Sequence, residues 1–170
     1  GRRRTFRTEQ YEQYKANRES MPDTMHSQMG LIIEGLQALN IPIYTKENYE
    51  ADDVIGSICA QAKAQGHKTV ILTGDQDSFQ LIDKEGCIRV LIPYKNELLE
   101  YDTQKVYEKL GVYPEQIIDY KALRGDISDN IPGVKGIGEK TAAKLLNDYK
   151  TLDNIYENID VIAPNGVKTT

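Results

Sequence analysis

Cysteine and histidine are scarce in this 170-residue chain, with two of each. Cys59 and Cys87 are too few and too scattered for a metal knuckle or a disulfide framework. Cys59 falls on the apolar face of a helical pattern, which fits a buried free thiol in a reducing cytoplasm. His26 and His67 have no metal-ligand company nearby and read as structural or solvated. No apolar run approaches the roughly 20 residues that a membrane span requires, and Arg2, Arg3 and Arg4 lead into no signal-peptide core. Internal repeats and low-complexity stretches are also missing. What remains, 39% hydrophobic and 28% charged residues, is the composition of a soluble globular chain. Its length suits one domain, or one domain with a small appendage.

The net charge is −5, which by itself argues against a polyanionic partner. The distribution qualifies that. Seven acids fall in three short clusters: Glu50, Asp52 and Asp53; Asp75 and Asp77; Asp126 and Asp129. Without those seven the rest of the chain carries +2, so the acids read as a cation site set in a mildly basic surface.

The stretch TVILTGDQDSFQL, residues 69–81, organises the chain. Its β-branched apolar start predicts a strand buried on both faces of a parallel sheet, followed by a helix over 76–83. Asp75 and Asp77 then stand at the strand's carboxyl end, where open α/β sheets build sites. Helix capping explains one such acid equally well. Upstream, residues 8–18 read as a helix capped by Thr8, with Arg7, Lys15 and Arg18 as a phosphate-binding face and Tyr11 and Tyr14 interleaved. A solvated amphipathic helix with packed tyrosines is the alternative. Residues 23–39 predict one helix whose Met25, Met29, Ile32, Ile33, Leu36 and Leu39 enter the core, with Asn40 at its end. A short strand over 41–44 and a helix over 49–66, ended by Gly66, complete a strand–helix–strand unit with the strand at 69–73. Three acids in four residues at the start of that helix exceed what capping and the helix dipole need.

Strands are expected at 88–92 and 97–101 about a turn at 93–96. A helix capped by Thr103 runs to Leu110, and Pro114 opens another. That second helix ends on GDISDN, residues 125–130, where a helical turn would point Asp126 and Asp129 to one side. Gly133, Gly136 and Gly138 then precede a helix from about Glu139. This is an anion-binding turn with Lys135, Lys140 and Lys144 beside it, and it reads as a helix–hairpin–helix gripping a nucleic-acid backbone. A purely structural helical hairpin is the alternative. One more short helix is expected over 152–159.

A ligand set of seven hard oxygens with no His or Cys suits Mg²⁺ or Mn²⁺. Two such ions about 4 Å apart can activate water and stabilise a leaving oxygen in phosphodiester hydrolysis.

The combination TFRTEQYEQYKANR, YEADDVIG, ILTGDQDSFQL and YKALRGDISDNIPGVKGIGEKTAAKLL resembles the 5′–3′ exonuclease domain of bacterial DNA polymerase I, and the flap endonuclease superfamily generally. The resemblance implies an α/β, PIN-like parallel sheet with flanking helices over residues 1–124. A helix–hairpin–helix DNA-binding region follows over 125–170. It implies a metal site of Glu50, Asp52, Asp53, Asp75, Asp77, Asp126 and Asp129, and a helical arch carrying Arg7, Lys15 and Arg18, the last two at the scissile phosphate. Gly133, Gly136 and Gly138 would hold duplex backbone, with K⁺ at the same turn. The implied partner is DNA with 5′ ends, nicks or flaps, cut in the bacterial cytoplasm by a monomer. Two further family aspartates, on earlier strands, have no counterpart here. The expectation is therefore a piece truncated at both ends with little nuclease activity of its own, or a catalytically incomplete module that grips branched DNA. A PIN-type ribonuclease is a third reading, disfavoured by the hairpin.

Overall fold

A computed structural model describes residues 5–162. The residues 1–4 and the tail beyond 162, on which part of the expected truncation pattern rests, lie outside the described residues. The chain divides into two compact units: residues up to Ile58 together with Ser128–Asn130, and Cys59–Ile127 together with Ile131 onward.

The second unit contains a sheet of three strands in the order β1 (Thr69–Leu72), β2 (Ile88–Tyr94), β3 (Glu97–Tyr101). β1 and β2 are parallel, with Thr69 opposite Ile88, and β2 and β3 form an antiparallel hairpin. Ile71 is buried, but Val70 and Leu72 are 60% and 63% exposed. β1 therefore buries one face rather than the expected two. It is an edge strand, with a neighbour on one side among the described residues. The predicted helix after it is a 3₁₀ helix, Gln76–Leu81, which drops Phe79 fully into the core. Phe79 meets Tyr101 with ring centroids 4.5 Å apart.

Helix α5 (Thr103–Leu110) is capped by Asp102, one residue before the expected Thr103; its carboxylate accepts from the Lys105 N–H at 2.9 Å. Pro114 opens a 3₁₀ turn that runs into α6 (Ile117–Arg124), followed by α7 (Glu139–Tyr149), α8 (Leu152–Glu157) and α9 (Ile159–Ile162). Val106, Val112, Ile117, Leu123, Ala142, Leu146 and Ile155 close the core. Burying one such side chain contributes roughly 1.5–3 kcal/mol.

The first unit differs from expectation at several points. The helix begins at Phe6, not Thr8, and α1 (Phe6–Gln10) is capped by Thr5. Thr8 is its third residue, and the Thr8 hydroxyl oxygen accepts from the Thr5 N–H at 3.0 Å. Residues 11–18 are not helix; 12–17 are turns. The predicted helix over 23–39 is two helices, α2 (Asp23–His26) and α3 (Met29–Ala38). Its apolar stripe is not core: Met25 is 54%, Ile32 48% and Leu39 72% exposed. Helical spacing shows which residues would share a buried face. It does not supply the surface that buries them. The strand expected over 41–44 is absent. Asn40 takes a positive φ of 55°, and the Ile41 N–H donates to the Leu36 carbonyl at 2.9 Å. The N–H that would start the strand thus closes α3 in a Schellman motif. With that strand goes the expected strand–helix–strand unit. Helix α4 (Ala51–Ala64) begins one residue after Glu50, and its Cys59 is buried as predicted.

Candidate metal and nucleic-acid site

In the first unit every singled-out base meets an acid. Arg7 makes a two-pronged contact with Asp53, both N–O distances being 2.7 Å, and this fork-to-fork geometry is the strong form of the pair. Asp53 also accepts the Glu50 N–H at 2.9 Å, satisfying a donor at the start of α4. The Arg7 guanidinium holds the Asp53 carboxyl below the usual carboxylate range, against the upward push of burial. Asp52 lies on the same first turn, partly exposed.

Lys15 sits at a positive φ of 54°, a conformation that costs a non-glycine residue on the order of 1 kcal/mol. The turn is held by its surroundings. Its own N–H donates to the Asp129 carbonyl at 2.9 Å, and the Asn130 amide donates to the Gln13 carbonyl at 2.8 Å. Lys15 Nζ then lies 2.7 Å from Glu50 Oε2, and Arg18 Nη2 lies 2.7 Å from Asp129 Oδ1. Between them the Tyr14 hydroxyl lies 3.1 Å from both Glu50 Oε2 and Asp129 Oδ2. Burial, then the charges of Asp129 and Glu50, push the Tyr14 phenol well above its ordinary value, so it keeps its proton. Tyr14, Lys15, Arg18 and Glu50 wall a cavity of about 790 Å³ that Met29 and His26 also line.

In the second unit Asp75 behaves as the cap that its position allowed: its carboxylate accepts the Asp77 N–H at 2.9 Å. Asp77 and Asp126 are bridged by the ammonium of Lys121, which lies 2.6 Å from Asp126 Oδ2. Burial lifts the Asp77 carboxyl above its usual value; Lys121 opposes this, and the neighbouring charges of Asp75 and Asp126 add to it. Burial also works against the charge of Lys121, but the two carboxylates outweigh it and keep the ammonium protonated. The Lys121 ammonium is thus shared by Asp77 and Asp126. Segment 125–130 is not a helical turn: it is a loop closed by a two-residue bridge between Asp126 and Ile131. Asp126 meets Lys121 and Asp129 meets Arg18.

The glycine turn joins α6 to α7 as predicted. Gly133 (φ 66°) lies against the chain at Gly125, where a Cβ would stand 2.3 Å from the Gly125 nitrogen. Glycine is required there for close approach as well as for φ. The Val134 N–H donates to the Leu123 carbonyl at 2.8 Å, locking the turn to α6. Gly136 has φ 86°, and Gly138 caps α7 from extended backbone. Lys135, Lys140 and Lys144 are all exposed beside this turn.

Family models match the whole length: a 5′-3′ exonuclease N-terminal, resolvase-like domain over residues 1–111, and a 5′-3′ exonuclease C-terminal SAM fold over 112–170. The chain belongs to the 5′-3′ exonuclease family. It is 51% identical over 163 residues to DNA polymerase I of Caldicellulosiruptor bescii, covering 95% of this chain and 19% of that protein. To DNA polymerase I of Bacillus caldotenax it is 43% identical over 166 residues, covering 98% of this chain and 19% of that one. The chain thus spans about a fifth of the length of these curated relatives. Among solved structures, the T5 D15 protein co-crystallised with metal ions superposes with a TM-score of 0.76 at 25% identity, over 91% of this chain and 61% of that one. The catalytic core of Rad2 in complex with DNA substrate shares the fold, with a TM-score of 0.55 at 22% identity, over 94% of this chain and 48% of that one.

Two contributors in this 5′-3′ exonuclease chain escaped the sequence reading. Lys121 is a lone lysine on an amphipathic helix, and its only signal is its place five residues before Asp126. The sequence pattern presents Tyr14 as a stacking or packing ring, and Lys15 next to it is the visible hint. Among the described residues no helix is long and apolar enough to cross a membrane.

Proposed function

We propose that this chain supplies the metal-binding acids and the duplex grip of a metal-dependent 5′-3′ exonuclease acting on DNA with 5′ ends, nicks or flaps. Residues 1–124 serve as the nuclease core and 125–170 as the duplex-gripping region, in a bacterial cytoplasmic monomer. The observation that carries the metal reading is the Asp77–Lys121–Asp126 group. Its donors are all carboxylate oxygens, gathered about one shared ammonium. That donor set fits Mg²⁺ or Mn²⁺. The co-crystallisation of the T5 D15 protein with metal ions supports the same reading.

Glu50, Asp52, Asp53, Asp75, Asp77, Asp126 and Asp129 would hold such ions. When bound, divalent ions supply an activated water and charge stabilisation for phosphodiester hydrolysis. The chain's own side chains do the rest. Lys15 and Arg18, now paired to Glu50 and Asp129, stand on the cavity wall where a phosphate can take their charge in exchange. Arg7 keeps Asp53 ionised. The N–H groups of the 133–138 turn and Lys135, Lys140 and Lys144 grip the duplex backbone without reading sequence, with K⁺ at the same turn.

Cleavage of a 5′-flap duplex in Mg²⁺ and in EDTA, by residues 1–170 and by any longer natural chain containing them, tests this. Metal-dependent cleavage by the longer chain, abolished by Asp77→Asn with Asp126→Asn, is the expected result. Cleavage undiminished by EDTA would overturn it. Duplex binding without cutting by either chain would favour a binding module instead.

A further inference from the structure

We infer that Tyr14 is a positioning residue whose hydroxyl sets the spacing of the Glu50 and Asp129 carboxylates for a divalent cation. This rests on the metal reading proposed above. Tyr14 is 8% exposed, and its hydroxyl lies 3.1 Å from Glu50 Oε2 and 3.1 Å from Asp129 Oδ2. These two acids are 79 positions apart in the chain, and no element joins them. A phenol carries one proton, so it donates to one of the two oxygens at a time. A ring anchored only for packing would have no reason to place its oxygen equidistant from two carboxylates.

Each of the two carboxylates also has a basic partner. Lys15 lies 2.7 Å from Glu50 Oε2, Arg18 lies 2.7 Å from Asp129 Oδ1, and Lys15 Nζ stands 4.7 Å from the centre of the Tyr14 ring. Both bases are on long, flexible side chains that a competing cation can displace. Tyr14 is rigid and buried, so it keeps the two acids in place while Lys15 and Arg18 swing toward phosphate. Hydrogen-bonding partners of metal ligands typically change metal affinity by about 10–100-fold.

The test is Mn²⁺ binding by titration calorimetry on the whole chain, with Tyr14→Phe, Glu50→Gln and the double variant. Tyr14→Phe keeps the ring and removes only the oxygen. It should weaken Mn²⁺ about ten-fold or more, and Glu50→Gln should cost less in its background than alone. Unchanged affinity in Tyr14→Phe, while Glu50→Gln weakens binding, overturns the positioning role and leaves the metal reading intact. No Mn²⁺ binding by the unmutated chain overturns both. Should Tyr14→Phe not fold, the unmutated chain with ring-¹³C tyrosine decides the matter. A Mg²⁺-dependent shift of the Tyr14 Cζ signal that Glu50→Gln removes supports the role, and its absence overturns it.

Discussion

The two units differ in the balance of what they bury. Around β1–β3 and α5–α8 the buried set is mostly apolar, with Ser78, Gln116 and Asp126 as its polar members: Phe79, Val90, Val106, Val112 and Leu146 are all fully enclosed. In the unit of α1–α3 the buried residues are Thr5, Tyr14 and Asp129, while Leu31, Ile32, Ile33 and Leu39 are exposed. One unit is held by area removed from water, which is non-directional and insensitive to salt. The other is held by ion pairs and hydrogen bonds on a few carboxylates, which weaken with salt and vanish when a partner is removed. The candidate catalytic bases sit in the second kind of environment. There a bound cation or phosphate can exchange partners without dismantling a core.

The comparison can be broken from either side. The largest effect is expected from Phe79→Ala, which should cost about 3–5 kcal/mol in urea unfolding, as truncation of a fully buried aromatic does. A cost below 1 kcal/mol would mean that the sheet unit is not core-stabilised. Gly133→Ala comes next. Its positive φ alone costs on the order of 1–3 kcal/mol, and the clash with Gly125 adds to that, so both stability and duplex affinity should fall. Wild-type affinity would separate the turn from DNA.

Arg7→Ala should cost about 1–2 kcal/mol, because Asp53 keeps only the Glu50 N–H and the pair is partly solvated. Hydrogen exchange should show the loss in residues 5–58, growing smaller in high salt, with amides of β1–β3 unmoved. Protection lost uniformly would merge the two units into one cooperative body.

An acid-side prediction of about 1 kcal/mol concerns Asp83. Burial pushes its carboxyl up, but Lys63 and the N–H groups of Ile88 and Cys87 outweigh that and hold it below the usual value. A lowered folded value means the stabilisation is present above the unfolded carboxylate value and is lost as pH falls through the folded one. Thermal melts between pH 5 and 2 should therefore be flatter for Asp83→Asn; an identical slope would remove Asp83 from the linkage. The smallest stability effect, within about 0.5 kcal/mol, belongs to Lys135→Ala with Lys140→Ala. Their consequence is a salt slope of duplex binding smaller by about 2.

Local chemistry carried much of this structure into view before any coordinates. The glycine turn and the start of α7 at Glu139 follow from backbone requirements that few residues meet. Asn40 ends α3, Gly66 follows α4, and β3 lies where its pattern put it, because caps, turns and strand periodicity are properties of neighbouring residues. The acid clusters were visible for the same reason, as unusual densities of one residue type within four or five positions.

Whether a side chain is covered, and by what, is decided at a distance. The stripe of α3 has helical spacing, yet no described residue buries it. Val70 and Leu72 look like central-strand residues but stand on an edge. Tyr14 and Asp129 are 115 positions apart, and only folding brings that hydroxyl to 3.1 Å from that carboxylate. The sequence by itself determined which residues cap, turn and carry charge, since those preferences act over a turn of chain. The tertiary structure alone decided which cation each acid meets, because electrostatic pairing depends on separation in space and burial depends on what the rest of the chain lays across it.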